Sequence, residues 1–150
     1  MKIRIKPENI LEKSYGIIVV YKQNSTETKY LIIQSKDTND WSFPKGHAEK
    51  NETSVEAALR ELKEETEISQ ISLIPNVSFS EKYRYKANGI WNQKQATFFV
   101  GITDNLNVKI QQEEVINYIW SNYDDAVKIL TFENQRKILS KASSKILEIN

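Results

Sequence analysis

The run Tyr15-Gly16-Ile17-Ile18-Val19-Val20-Tyr21 constrains this chain most. It is β-rich and apolar, with none of the polar alternation of a strand that has one wet face, so it reads as a buried strand. Tyr30-Leu31-Ile32-Ile33 is a second such run, and the turn chemistry of Asn24-Ser25-Thr26-Glu27 between them predicts a hairpin. Asp37 to Asp40 is a polar loop, and Trp41-Ser42-Phe43 reads as a short strand stopped by Pro44. Further strands are expected over Ile71–Ile74, Val77–Tyr85, Gln95–Ile102 and Val115–Trp120, with Asn88-Gly89 in a loop between two of them.

Helical patterns supply cover for these strands. Thr53 and Glu56 have capping-box spacing, and Val55, Ala58, Leu59 and Leu62 then recur as one apolar stripe. Ser121 and Asp124 predict a second helix start. A last helix runs from about Phe132 to Leu147, with Ile138, Leu139, Ala142 and Ile146 on one face. Strands mixed with three helices predict an α/β or α+β fold, a single domain over residues 1–150 with a sheet between helical layers.

Composition narrows the functional classes. Apolar residues at 39% and charged residues at 27% exclude a disordered or fibrous chain, and the net charge of +1 gives no global reason to expect nucleic acid or acidic membrane as a partner. There is no cysteine, so disulfides and thiolate metal sites are excluded. The start, Met1-Lys2-Ile3-Arg4-Ile5-Lys6, lacks the apolar run of a signal peptide, and no stretch approaches a membrane helix, so the expected location is cytoplasmic.

The helix after Thr53 carries Glu61, Glu64 and Glu65, which at i, i+3 and i+4 lie on one face beside the apolar stripe. Taken alone it reads as a solvated charged face, since charge-rich helix faces are common. Clustered carboxylates repel one another, and a divalent cation makes the cluster favourable. Oxygen-only ligands suit magnesium, with manganese as the alternative. Arg60, four residues before Glu64, is placed to orient a carboxylate.

The upstream spacing weighs against the solvated-face reading. Gly46 is followed after five residues by Glu52, after seven more by Arg60-Glu61-Leu62, then by Glu64-Glu65 and Ile68, all within 23 residues. This pattern resembles the Nudix box, with Glu67 standing where the family has glycine. The resemblance implies a Nudix-type α/β/α sandwich with a mixed central sheet. It implies that Glu61, Glu64, Glu65 and the Gly46 carbonyl ligate metal, and that Glu52 and Arg60 brace the box. An acid outside the box completes the site in several relatives. Glu114 has that spacing, as ligand or general base, and Glu113 is its alternative. Glutamate at position 67 meets a steric cost in the left-handed conformation of a helix-ending glycine, so a slightly different helix exit with an intact site is expected. Asn51 tolerates that conformation.

Trp41-Ser42-Phe43-Pro44-Lys45-Gly46-His47 is similar to the asymmetrically cleaving diadenosine tetraphosphate hydrolases, as are the Tyr-Arg-Tyr segment, the lysine before Gln95 and the Phe132 region. That resemblance implies base stacking by Tyr85 and Phe132, phosphate contact by Lys45, Lys86 and Lys94, and a phosphate or loop role for His47. The expected function is magnesium-dependent hydrolysis of diadenosine tetraphosphate to ATP and AMP by a monomeric enzyme with a small-molecule nucleotide substrate. One alternative is a pyrophosphohydrolase acting on RNA 5′-triphosphate ends or nucleoside triphosphates. The other is a nucleotide-binding sensor without turnover.

Overall fold

The computed structural model describes residues 11–22 and 27–149. The Asn24–Thr26 turn and the Met1–Lys6 segment lie outside the described residues. Strand β1 (Leu11–Lys22) is the centre of a seven-stranded mixed sheet. Along one edge it pairs in parallel with β6 (Ile90–Thr103), from Leu11↔Gln93 to Tyr21↔Thr103. On the other edge it pairs with β2 (Thr28–Ser35) only at its end, from Lys22↔Thr28 to Val20↔Tyr30.

Beyond Val20 the two strands part, and two short strands fill the wedge. β3 (Trp41–Ser42) pairs with β2, and β4 (Lys45–His47) pairs with β1. The strand expected over Trp41–Phe43 is therefore only part of the feature. Pro44 carries the chain from one partner to the other, and its carbonyl accepts from the Ile17 N–H at 3.2 Å. β5 (Ser72–Ala87) flanks β6, and β7 (Val115–Ser121) flanks β2.

The segments expected as separate strands over 71–74 and 77–85 form one strand, β5, whose register shifts between Leu73 and Ser78. Asn76 takes φ 61° inside that irregularity. Asn88 and Gly89, at φ 52° and 76°, close the β5–β6 hairpin in two residues, so Ala87 faces Ile90.

Alternation along β1 assigns its side chains to two cores. Ile17 and Val19 meet helix α1 (Ser54–Thr66) through Ala58 and Leu62. Ile18 and Val20 meet α2 (Tyr123–Ile129) and α3 (Glu133–Glu148) through Ala126, Leu130, Ile138 and Leu139. The sandwich follows because a strand apolar on both faces has to be covered twice. The capping box on α1 forms as the sequence predicts: Thr53 Oγ1 accepts from the Glu56 N–H at 3.1 Å, and Glu56 Oε1 from the Thr53 N–H at 2.8 Å. On α2 the cap is Asn122 rather than Ser121, which ends β7; Asn122 Oδ1 accepts from the Asp125 N–H at 2.9 Å.

Candidate active site

β4, α1 and the loop before β7 converge on the acidic helix face. The left-handed exit of α1 arranges that meeting. Glu67 takes φ 60° at the C-cap and its N–H donates to the Lys63 carbonyl at 2.8 Å. The exit is thus the one a glycine would make, where the sequence predicted a slightly different one, and Asn51 sits at φ 68° as expected. The loop then runs back along the helix end. Lys109 N–H donates to the Thr66 carbonyl at 3.0 Å and Gln111 N–H to the Glu65 carbonyl at 3.1 Å. These bonds satisfy helix-end carbonyls and bring Glu113 and Glu114 to Glu65.

Burial separates the three box glutamates. Glu64 is exposed and is held by Arg60 Nη1 at 3.1 Å from both of its oxygens. Glu61 is largely enclosed, with 13% of its side chain exposed. Glu65 lies on the buried face of α1, at 9% exposure, and not beside the stripe as the periodicity predicted. Its Oε1 has no hydrogen-bond partner. Burial, reinforced by Glu61 and Glu114, pushes the Glu65 carboxyl up to about 8, against the opposing pull of Lys45. Burial raises Glu61 as well, while Arg60 pulls it down.

Gly46 leaves room for the Glu61 carboxylate. A Cβ at this position would fall on the Glu61 carboxylate. The strand β4 passes that close because residue 46 has no side chain.

Arg60 knots the box together. Its Nε reaches Glu52 Oε2 at 2.5 Å and Nη2 reaches Glu52 Oε1 at 3.1 Å, while Nη2 also donates to the His47 carbonyl at 2.8 Å. Glu49 adds an ion pair at 3.0 Å. The guanidinium holds Glu52 below the usual carboxylate range, chiefly through this hydrogen bond. A planar fork with donors in fixed directions serves Glu52, Glu64, Glu49 and the His47 carbonyl in a way an ammonium does not.

Two adjoining cavities lie beside the carboxylates. One, of about 430 Å³, is walled by Glu65, Glu113, Glu114 and Asp37. The other, of about 260 Å³, is walled by Lys94, Tyr83, Glu81, Asp40 and Phe132. Ser35, Ser42 and Lys45 belong to both walls. Burial lowers the Lys45 ammonium pKa and Lys94 lowers it further, whereas Glu65, Glu61 and Asp40 support the charge. Phe132, the α3 N-cap residue, keeps 40% exposure at the second cavity. Gln135 anchors the floor by accepting from the Phe43 N–H at 3.2 Å.

The remaining sequence candidates lie elsewhere. Tyr85 shares a strand face with Tyr83 but does not wall the cavity; its hydroxyl donates to Glu12 at 3.3 Å, and the Lys94 ammonium sits 4.7 Å from its ring centroid. His47 is tied through Nδ1 to the Lys13 carbonyl at 3.0 Å. Lys86 is on the opposite face of the hairpin, against Trp91. Tyr83, Asp40 and Glu81 are cavity residues that the sequence reading passed over. A two-residue turn at Asn88-Gly89 implies Ala87↔Ile90 and hence Tyr83↔Lys94, so the signal for Tyr83 was present.

The donor set is oxygen only and suits a hard divalent cation. The unpartnered buried Glu65 Oε1 fits the same ion, since a buried carboxylate needs a charge or donor opposite it. Among the described residues no three acidic or histidine groups already stand together at ion-holding distance, and Glu64 is engaged by Arg60.

The NUDIX domain family matches residues 12–142. The chain belongs to the Nudix family. Among relatives of this Nudix hydrolase, an asymmetrical bis(5′-nucleosyl)-tetraphosphatase of Caenorhabditis elegans is 28% identical over 128 residues, covering 85% of this chain and 91% of its own. An RNA pyrophosphohydrolase of Pelagibacter ubique is 27% identical over 150 residues, covering 93% of each chain. The crystal structure of a C. elegans Ap4A hydrolase binary complex superposes with a TM-score of 0.79 at 26% identity, covering 91% of this chain and 98% of that one. The α/β sandwich is thus the Nudix fold.

Proposed function

We propose that this Nudix hydrolase, with magnesium or manganese bound, cleaves dinucleoside polyphosphates, splitting diadenosine tetraphosphate into ATP and AMP. The observation that carries this reading is Lys45 standing in the shared wall of the carboxylate cavity and the aromatic, lysine-bearing one. A polyphosphate chain running past Lys45 joins a reacting phosphorus on one side to a nucleoside on the other.

Glu61, Glu64, Glu65, Glu114 and the Gly46 carbonyl are the proposed ion holders. These residues would hold a divalent ion, which would supply polarisation of phosphoryl oxygens and a lowered pKa for bound water. The chain's own groups do the rest. Glu52 and Arg60 brace the helix against β4. Lys45 and Lys94 offset phosphate charge. Glu114 is the proposed acceptor of the proton lost when water attacks phosphorus and the bridging oxygen leaves. Tyr83 and Phe132 are the proposed base platforms, each stack contributing ~1–3 kcal/mol. Tyr85 holds Lys94 in place, and His47 positions Arg60 through its carbonyl. A monomer in the cytoplasm acting on a small nucleotide completes the proposal. Among the described residues no helix is long and apolar enough to cross a membrane.

Product identification by anion-exchange chromatography tests the reading. Equal ATP and AMP from diadenosine tetraphosphate with magnesium are expected. Two ADP, or an intact dinucleotide beside hydrolysis of other nucleotides, would overturn it. The Pelagibacter relative motivates one competitor: faster pyrophosphate release from 5′-triphosphorylated RNA would favour it.

A further inference from the structure

The outer face of the β5–β6 hairpin takes no part in the site described above. The register sets Lys82 opposite Gln95, Arg84 opposite Gln93 and Lys86 opposite Trp91. These six side chains share one face, because strand alternation sends Tyr83, Tyr85 and Lys94 to the other. Ser80 and Thr97 continue the face, with their hydroxyls 2.8 Å apart. Trp91 is 49% exposed. The Arg84 guanidinium lies 4.8 Å from its ring centroid and the Lys86 ammonium 5.7 Å. Among the described residues, none of the three cations has an ion-pair partner. A chain with a net charge of only +1 has thus set two cations over one half-exposed aromatic ring and a third, Lys82, further along the same face.

From this juxtaposition of Trp91 with Lys82, Arg84 and Lys86 we infer a docking face for single-stranded RNA. Alternate residues of a strand advance ~6.8 Å, about one extended nucleotide, so successive cations meet successive phosphates. The exposed part of the Trp91 ring stacks a base, and the Arg84 guanidinium, lying over the same ring, extends the platform. Gln93, Gln95, Ser80 and Thr97 offer donors and acceptors to base edges and ribose hydroxyls. A lipid surface is a poorer match, because Trp91 is the only large apolar side chain among these residues. An acidic peptide would use the cations and leave the ring without a role. The inference does not depend on the substrate proposed above.

The test is fluorescence anisotropy with a labelled 5′-hydroxyl RNA of about 12 nucleotides, a length suited to one small binding face. Lacking a 5′ phosphate, this probe has no anhydride to cleave. Binding is expected to weaken with salt at a log–log slope of about −2, the value for three phosphate contacts on a single strand. Trp91→Ala is expected to weaken binding about tenfold. Arg84→Glu is expected to weaken it and flatten the salt slope by about 0.7. Both variants should keep the wild-type melting temperature within a few degrees and the wild-type nucleotide turnover. No binding by the wild type, or equal binding by both variants, would overturn the proposal. So would equal affinity for duplex RNA, for the matching DNA strand or for phosphatidylserine vesicles.

Discussion

Glu65 is the residue on which the carboxylate chemistry and the stability of the fold meet. Its carboxyl is raised from 4.5 to about 8, with burial as the main cause. Between those two values the folded protein holds a proton that the unfolded chain has lost, so metal-free stability is full below about 4.5 and falls as pH rises toward 8. The shift corresponds to at most ~5 kcal/mol across that window. Chelator-treated protein should therefore melt at progressively lower temperature from pH 5 to pH 8.5, and Glu65→Gln should flatten that dependence while abolishing turnover. A melting temperature rising with pH in the wild type would contradict the burial argument. Arg60→Lys keeps the charge and loses the fork that serves Glu52, Glu64 and the His47 carbonyl. By the usual cost of removing a group that orients metal ligands, ~10–100-fold weaker apparent metal affinity is expected from magnesium titration of activity.

Helix α1 is the element that carries the box, and its two ends are built differently. The start has a full capping box at Thr53 and Glu56. Thr53→Ala should cost ~1 kcal/mol in urea denaturation, with little change in kcat if the helix keeps its place. The end places a glutamate where L-residues are strained, at φ 60°. Glu67→Gly removes that strain and should raise stability by ~1 kcal/mol, which is ~2–4 °C for a chain of this size. An unchanged or lower melting temperature would mean that the contacts of Glu67, including the ion pair with Lys109 at 3.9 Å, outweigh the backbone term. The same left-handed exit leads the chain toward Lys109 and Gln111, whose bonds to the helix end bring Glu114 to Glu65. Position 67 therefore acts on the site through the path of the chain.

At the scale of the molecule, an ion that binds only the folded carboxylate site stabilises the whole fold by mass action. Magnesium at about 100 times its dissociation constant should add ~2.7 kcal/mol, read as a rise in melting temperature that Glu65→Gln removes. The apolar runs at Tyr15–Tyr21 and Tyr30–Ile33 were sufficient to predict a covered sheet, because their lack of alternation leaves no face for water. The spacing from Gly46 to Ile68 was sufficient to mark the acidic box through its resemblance to the Nudix pattern, whereas helical periodicity alone put Glu65 beside the apolar stripe rather than on the buried face. Which glutamate is buried, which is held by Arg60 and which has an unpartnered oxygen depended on β4 and the 104–114 loop closing over the helix. The cavity wall divides in the same way. The Pro44-Lys45-Gly46-His47 segment pointed to the place, and alternation along the hairpin turns Lys86 to the outer face, whereas the presence of Tyr83 rather than Tyr85 in the wall came from how β3, α3 and the hairpin assemble. Spacing along one helix is a property of the chain itself. The register of a two-residue hairpin is local too, but burial belongs to elements far apart in sequence, so only the assembled fold determined which carboxylate is enclosed and which ring walls the cavity.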